Sequence, residues 1–357
     1  MKALFLYNQI TNLYKFLAAN IKKSNLTFVI PKKDAIMTVW ILFIVLILII
    51  LALDLGVFNK NPHIISTKEA SKWTAIWFTL SMLFSGVVYW LYSTDYVLNP
   101  SQLKPPVAAM KFITGYLIEL SLSIDNIFVI ALIFASFKIS KKYQHRVLFW
   151  GILGAIVFRG LMIYFGVLLI NKFTWTSYIF GAFLLFTAIK MLFTKDEEEF
   201  NPKKSLVYKV LGKIIPISTH TDKEHFFIKT DKGNAATPLF VALIVIEVMD
   251  VIFAVDSVPA ILAITSDPFL VFSSNIFAIL GLRSLYFFLA NMLEIFSHLE
   301  YSLIAILSFV GLKMLLHDYI EVPEWASLSF IALTLIIGVI VSIQISKKGN
   351  ISENKQV

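Results

Sequence analysis

The sequence predicts an all-α polytopic membrane bundle of about nine transmembrane helices, built around two inverted three-helix repeats. Three observations lead there. First, 58% of the 357 residues are hydrophobic, 15% are aromatic and the mean hydropathy is +0.79, well beyond the usual globular range. Second, apolar segments of roughly 18 to 25 residues recur along most of the chain, each long enough to cross a hydrocarbon core of about 30 Å as a helix. Third, charged residues recur in register in two stretches of the sequence, a pattern that apolar resemblance alone does not produce.

Taken in order, the spans read as residues 36–57, 73–93, 108–136, 147–170, 174–194, 238–265, 272–296, 299–317 and 326–345. Residues 1–35 form an N-terminal extension. It mixes Lys, Asn and aromatics without a sustained apolar core or a small-residue cleavage site, so it reads as an interfacial segment rather than a signal peptide. Two leading helices occupy 36–106, the first repeat unit 107–194, a polar cytoplasmic linker 195–237, the second unit 238–317, and a last helix with the C-terminal tail 318–357. Asp54 reads as a helix-end residue facing headgroups, with a weak echo of the repeated acidic position as the other reading. In the linker, HFFIKTDKGNAATP carries a turn signal at Lys232-Gly233-Asn234, which predicts a short hairpin at the membrane side.

The formal charge of +8 does not point to nucleic acid, because Lys and Arg lie mainly in loops and tails flanking the spans, where topology accounts for them. The partner those flanks imply is the lipid bilayer. With the N-terminus outside and the C-terminus cytoplasmic, the inner loops hold Lys138, Lys141, Lys142 and Arg146, eight lysines from Lys195 to Lys232, and Lys347 and Lys348. That arrangement satisfies the positive-inside rule better than its opposite, although six lysines in the first 33 residues pull the other way. The absence of cysteine excludes disulfides and thiolate metal sites. Neither a partnered nucleophile nor an HExxH, GxSxG or P-loop motif is present, so no enzyme is expected. No resident cofactor is implied, and oligomeric state leaves no sequence signature.

The repeat is carried by three alignments. ELSLSIDN (119–126) matches DVIFAVDS (250–257), ILGAIVFRGL (152–161) matches IFAILGLRSL (276–285), and LLFTAIKML (184–192) matches LSFVGLKML (307–315). The offset stays between 123 and 131, pairing Glu119 with Asp250, Asp125 with Asp256, Arg159 with Arg283 and Lys190 with Lys313. Three helices per unit force the second copy to enter the membrane from the opposite side, the inverted plan common among transporters.

Five acids, Glu119, Asp125, Glu247, Asp250 and Asp256, sit inside these apolar runs. Each ionised side chain at the bilayer centre costs at least about 2.5 to 3.5 kcal/mol, so something must offset them. Arg159 and Arg283 balance at most two, and the excess negative charge invites protons or a divalent cation. The bland alternative is that the arginines pair with the acids simply to lock the bundle. At about 100° per residue, Glu119, Ser123 and Asn126 form one stripe, as do Asp250 and Ser257, while acids six apart diverge by about 120°. They converge only if the helix breaks or if both faces are buried. Pro259, which deprives the Val255 carbonyl of its partner, suggests a break beside Asp256. Glu119, Asp125, Asn126, Asp250, Asp256 and Ser257 are the candidate oxygen ligands of a midplane site suited to Mg, Ca or Mn. Glu247, which has no counterpart in the first unit, is the candidate proton carrier, with Arg159 and Arg283 balancing charge. Lys190 and Lys313, near helix ends, read as snorkelling to the interface.

GYLIELSLSIDNIFV (115–129), HRVLFWGILGAIVFRG (145–160), YIFGAFLLFTAIKML (178–192), DVIFAVDSVPAILAITSDPF and SNIFAILGLRSLYF together resemble the TerC family of integral membrane proteins, including its Alx-type members. The similarity covers roughly residues 37–345 and leaves the N-terminal extension outside. The resemblance implies kinship with LysE-type exporters, a bacterial cytoplasmic membrane location, manganese(II) efflux and a historical association with tellurium resistance. It points to Asp125 and Asp256, then Glu119, Asp250 and Asn126. The expectation is a proton-coupled exporter of Mn(II), with the metal as cargo. A non-transporting membrane scaffold that aids assembly or metallation of other proteins is the alternative.

Overall fold

The computed structural model describes residues 33–53, 65–173, 175–193, 206–218, 225–230, 233–290, 299–320 and 322–353. Asp54 lies outside them, as does most of the N-terminal extension. The elements are α1 (Lys33–Leu53), α2 (Thr67–Ser93), α3 (Pro105–Ser136), α4 (Lys141–Lys172), α5 (Thr176–Phe193), α6 (Leu206–Ile214), β1 (Phe227–Thr230), β2 (Gly233–Ala236), α7 (Pro238–Leu262), α8 (Pro268–Ala290), α9 (Glu300–Leu315) and α10 (Glu324–Glu353). This is a polytopic helical membrane bundle. Eight helices among the described residues are long and apolar enough to cross a membrane. The remaining expected span, 299–317, corresponds to α9, whose 16 residues are about 24 Å long and fall short of a full crossing alone.

Helix starts follow the local chemistry. Proline opens α3, α7 and α8, where its missing amide leaves no helix bond unmade. Asp267 sits just before α8 and accepts from the Phe269 and Leu270 amides at 3.0 and 3.2 Å, fixing the start four residues earlier than the hydropathy pattern placed it. Ser66 caps α2 by accepting from the Glu69 amide at 3.3 Å.

The three-helix units interleave rather than standing side by side. Helix α3 packs on α8, α4 packs on α7, and α5 packs on α9, so each helix of one unit finds its main partner in the other. The α5–α9 crossing is close because both faces are glycine: a Cβ on Gly181 would lie 3.0 Å from the Gly311 carbonyl oxygen, and one on Gly311 2.9 Å from that of Gly181. Three further helices wrap this core. α1 and α2 cover α8, with Trp40 and Phe43 of α1 stacking edgewise on Phe269, while α10 lies along α3 and α9.

The linker hairpin forms, pairing Phe227 with Ala236 and Thr230 with Gly233. Gly233 and Asn234, two residues of the predicted turn signal, are in β2, while Lys232 lies outside the described residues. Phe240 of α7 packs on Phe227 with ring centres 4.5 Å apart, and Thr237 donates to the His225 carbonyl at 2.7 Å, which seats the hairpin on the start of α7.

At the opposite end, Lys111 of α3 donates to the Ile264 carbonyl at 2.5 Å and pairs with Glu324 of α10 at 2.8 Å. Lys313 donates to Ser327 at 2.9 Å and lies 3.5 Å from the same Glu324. Lys313 therefore turns inward onto α10 instead of snorkelling, because the added helix supplies a carboxylate nearer than the headgroups.

Candidate cation site

Three helices meet at the charged core, each near its middle: α3 with Glu119, α4 with Arg159 and α7 with Asp250. The Arg159 side chain is 1% exposed. It bonds Asp250 through two parallel contacts, Nη2 to Oδ1 at 2.8 Å and Nε to Oδ2 at 3.2 Å, the planar fork geometry that favours arginine over lysine. Its Nη1 pairs with the Glu119 carboxylate and donates to the Ser257 hydroxyl at 3.3 Å. One guanidinium thus ties an acid from each unit. With both acids ionised the triad carries a net negative charge, and removing one partner would leave the others as uncompensated buried charge.

Asp250 has a second role. Together with Asn126, Glu247 and Arg283 it lines a cavity of about 20 Å³ between α3, α4, α7 and α8, room for a single water or an ion stripped of most of its shell. Glu247 precedes Asp250 by three residues and so shares its face of α7. The Glu247 carboxylate lies over the backbone of Gly154 on α4, where a Cβ would occupy the same space, and its buried Oε2 has no hydrogen-bond partner among the described residues. Gly154 therefore makes the slot that holds this acid.

Asp256 goes elsewhere. Helix α7 runs unbroken through Pro259 and ends at Leu262, so the break expected beside Asp256 does not occur; in the last turn the missing amide forfeits one bond that a slight bend accommodates. The six-residue step then sends Asp256 to a different neighbour, Thr187 of α5, whose hydroxyl donates at 3.1 Å, with Lys190 in electrostatic reach. Nor is α7 buried on both faces, since Ile252 and Val255 are exposed; the two acids therefore do not converge.

The sequence-derived residues thus fall into three places. Glu119, Asp250 and Ser257 gather on Arg159; Asn126, Glu247, Asp250 and Arg283 surround the cavity; Asp256 stands apart with Thr187. The Asp125 side chain lies outside the described residues, although its backbone is in α3. Among the described residues no group of three or more His, Cys, Asp or Glu is close enough to hold a metal. Sequence reasoning missed Gly154, Thr187 and the cap at Asp267. Only the last had a local signal, Asp followed by Pro ahead of an apolar run.

These features define a class: an integral multi-pass membrane protein whose buried ionisable residues face the bundle interior and are shared between helices of two units. The chain belongs to the family described as "Integral membrane protein TerC family", whose model matches residues 105–350. It is 45% identical over 293 residues to a membrane protein of Myxococcus xanthus, covering 82% of this chain and 88% of that one. Over the same length and at the same identity it matches a protein of Escherichia coli (strain K12) named "Putative membrane-bound redox modulator Alx", covering 90% of that chain. A membrane protein of Rickettsia bellii is 42% identical over 304 residues, 85% of this chain and 96% of that one. No solved structure matches.

Proposed function

We propose that this protein exports divalent metal cations, Mn(II) foremost, across the bacterial cytoplasmic membrane in exchange for protons, with the linker and C-terminus in the cytoplasm. The observation that carries this reading is that Asp250 belongs at once to the Arg159 ion triad and to a cavity bearing Glu247 and Asn126. A carboxylate so placed has two alternative cations. In one state Arg159 holds it; in the other an incoming metal competes for the same oxygens. Asn126, Glu247 and Asp250 offer oxygen donors, as hard divalent ions prefer. Glu247, one turn from Asp250, is assigned the exchanging proton, since two carboxylates facing one small cavity do not readily ionise together.

Interleaved packing supports an inverted repeat. Exchanging α3, α4 and α5 with α7, α8 and α9 carries the α3–α8 contact onto α7–α4 and returns α5–α9 to itself. A site on the axis of such an exchange can face either side of the membrane when the units rock.

The test is uptake of Mn, Ca and Mg into proteoliposomes under an imposed pH gradient. Expected is Mn uptake that collapses in Asp250→Asn and Asp256→Asn. The runner-up is a scaffold in which the acids are structural, a reading favoured by how completely Arg159 is engaged. If Asp125→Asn and Asp256→Asn cells keep wild-type manganese tolerance and intracellular manganese while the protein is made, the scaffold reading stands and transport falls. The redox role in the relative's name has no thiol of this chain to act through, since cysteine is absent.

A further inference from the structure

Three stripes run along α6, the nine-residue helix of the linker, and each meets different surroundings. Tyr208 and Leu211 turn inward and join the apolar cluster built mainly on α3, α4, α7 and α8. Val210 and Ile214, four residues apart and so on one face, stay 46% and 70% exposed. Lys209 and Lys213, also four apart, lie about 100° round the helix from that pair and are exposed as well.

What α6 touches sets its level. The Tyr208 ring stacks on Phe137, centroids 6.0 Å apart, in the turn where α3 ends and α4 begins. The Ala236 amide donates to the Pro216 carbonyl at 2.8 Å and the Ser218 amide to the Ala236 carbonyl at 2.9 Å, which ties the chain leaving α6 to the hairpin seated on α7. Since α3, α4 and α7 are long and apolar enough to be spans, the level at which they begin or end is the headgroup region of the bilayer. Charge there is of one sign. Between 137 and 146, 206 and 218, and 225 and 237, the described residues include Lys138, Lys142, Arg146, Lys209, Lys213 and Lys229 and no Asp or Glu; the acids of the linker lie outside the described residues.

We infer that α6 is a membrane-surface helix that binds anionic phospholipid in the linker-side leaflet, with Val210 and Ile214 inserted below the headgroups and Lys209 and Lys213 on their phosphates. An exposed apolar pair beside a basic stripe is how a helix lies in an interface: the apolar side chains gain from burial, and the lysines from the negative surface potential of anionic lipid. Long lysine stems reach back to the headgroups from a helix seated slightly below them. Two apolar side chains are too little surface for a stable protein partner, which needs about 1,000 Å², whereas lipid is already present at that level. A zwitterionic headgroup satisfies the apolar pair but leaves the lysine charge unanswered. The surface is independent of what the carboxylate cavity carries.

The chain contains no cysteine, so a bimane on Ile214→Cys reports on that position alone. The full-length protein is placed in phosphatidylcholine nanodiscs that hold equal fractions of either brominated phosphatidylglycerol or brominated phosphatidylcholine. Expected is quenching about threefold stronger with the brominated phosphatidylglycerol, falling to parity in Lys209→Gln/Lys213→Gln and on raising the salt concentration. A bimane on Gly212→Cys, on the opposite side of the helix from Val210 and Ile214, should be quenched by aqueous iodide and little by either lipid. Equal quenching of the Ile214→Cys label by the two lipids with both lysines present overturns the anionic-lipid assignment. A preference that survives Lys209→Gln/Lys213→Gln overturns the role of those lysines. Quenching of the Ile214→Cys label by iodide and by neither lipid puts that position in water, and shielding from all three quenchers puts it against protein; either result overturns the membrane-surface helix.

Discussion

Helices α4 and α8 carry matched sequences and matched arginines, but they live in different surroundings. Helix α8 is the buried centre of the molecule, with 89% of its apolar window covered, whereas the corresponding figure for α4 is 33% and Phe158, Leu161 and Phe165 are exposed at positions that face lipid. The difference comes from α1 and α2, which wrap α8 and have no equivalent over α4 among the described residues. It is expressed in the chemistry. Arg159 is bound by two carboxylates and a hydroxyl, and Arg283 lines both the carboxylate cavity and the cleft between α2 and α8. Residues matched in sequence thus meet unlike surroundings through what is packed outside their helices.

The same lesson holds for the lysines. Lys190 on α5 stays exposed within reach of Asp256, while Lys313 on α9 is drawn onto α10 by Glu324 and Ser327.

The comparison breaks most visibly at the arginines. Arg159→Met leaves Glu119 and Asp250 buried without their counter-ion and should cost about 3 to 5 kcal/mol, read as a fall in thermal stability in detergent. Arg283→Met in the same assay shows whether the matched arginine carries a comparable load. Equal losses would mean the two arginines are both structural. Adding Glu119→Gln and Asp250→Asn to Arg159→Met should recover a large part of the loss, since the uncompensated charges go with the arginine.

Next in size is the glycine slot. Gly154→Val drives a side chain into the space of the Glu247 carboxylate and should cost about 1 to 3 kcal/mol. Its effect on proton exchange in proteoliposomes should exceed that of Gly86→Val, a position with nothing within 4 Å of a Cβ. Thr187→Val removes one hydrogen bond to Asp256, for a loss of about 1 kcal/mol. Smallest is Glu324→Gln, which weakens two partly exposed ion pairs by about 0 to 1 kcal/mol in all; a measurable rise in modification of far-end thiols would sharpen the view of that end as a closure.

Much of the architecture was legible because the bilayer imposes simple rules. Chain segments that are apolar and long enough must be helices, so the spans at 36–57 or 147–170 were found within a few residues as Lys33–Leu53 and Lys141–Lys172. The buried acids were legible for the same reason, since no ionisable group sits inside such a run without a purpose. The Pro259 break was not, because a proline three residues from a helix end is compatible with either outcome until the neighbours are known.

By itself, the sequence determined that this is a multi-pass helical membrane protein, that its acids and arginines recur in register, and that no thiolate takes part in its chemistry. Those properties follow from composition, length and spacing, which need no partner. Tertiary structure alone decided that Glu119 and Asp250 share one arginine, that Asp256 answers to Thr187, and that Gly154 holds Glu247. The reason is geometric: a helix dictates the direction in which each side chain leaves it, and only the packing of the two units and their outer helices decides what that side chain meets.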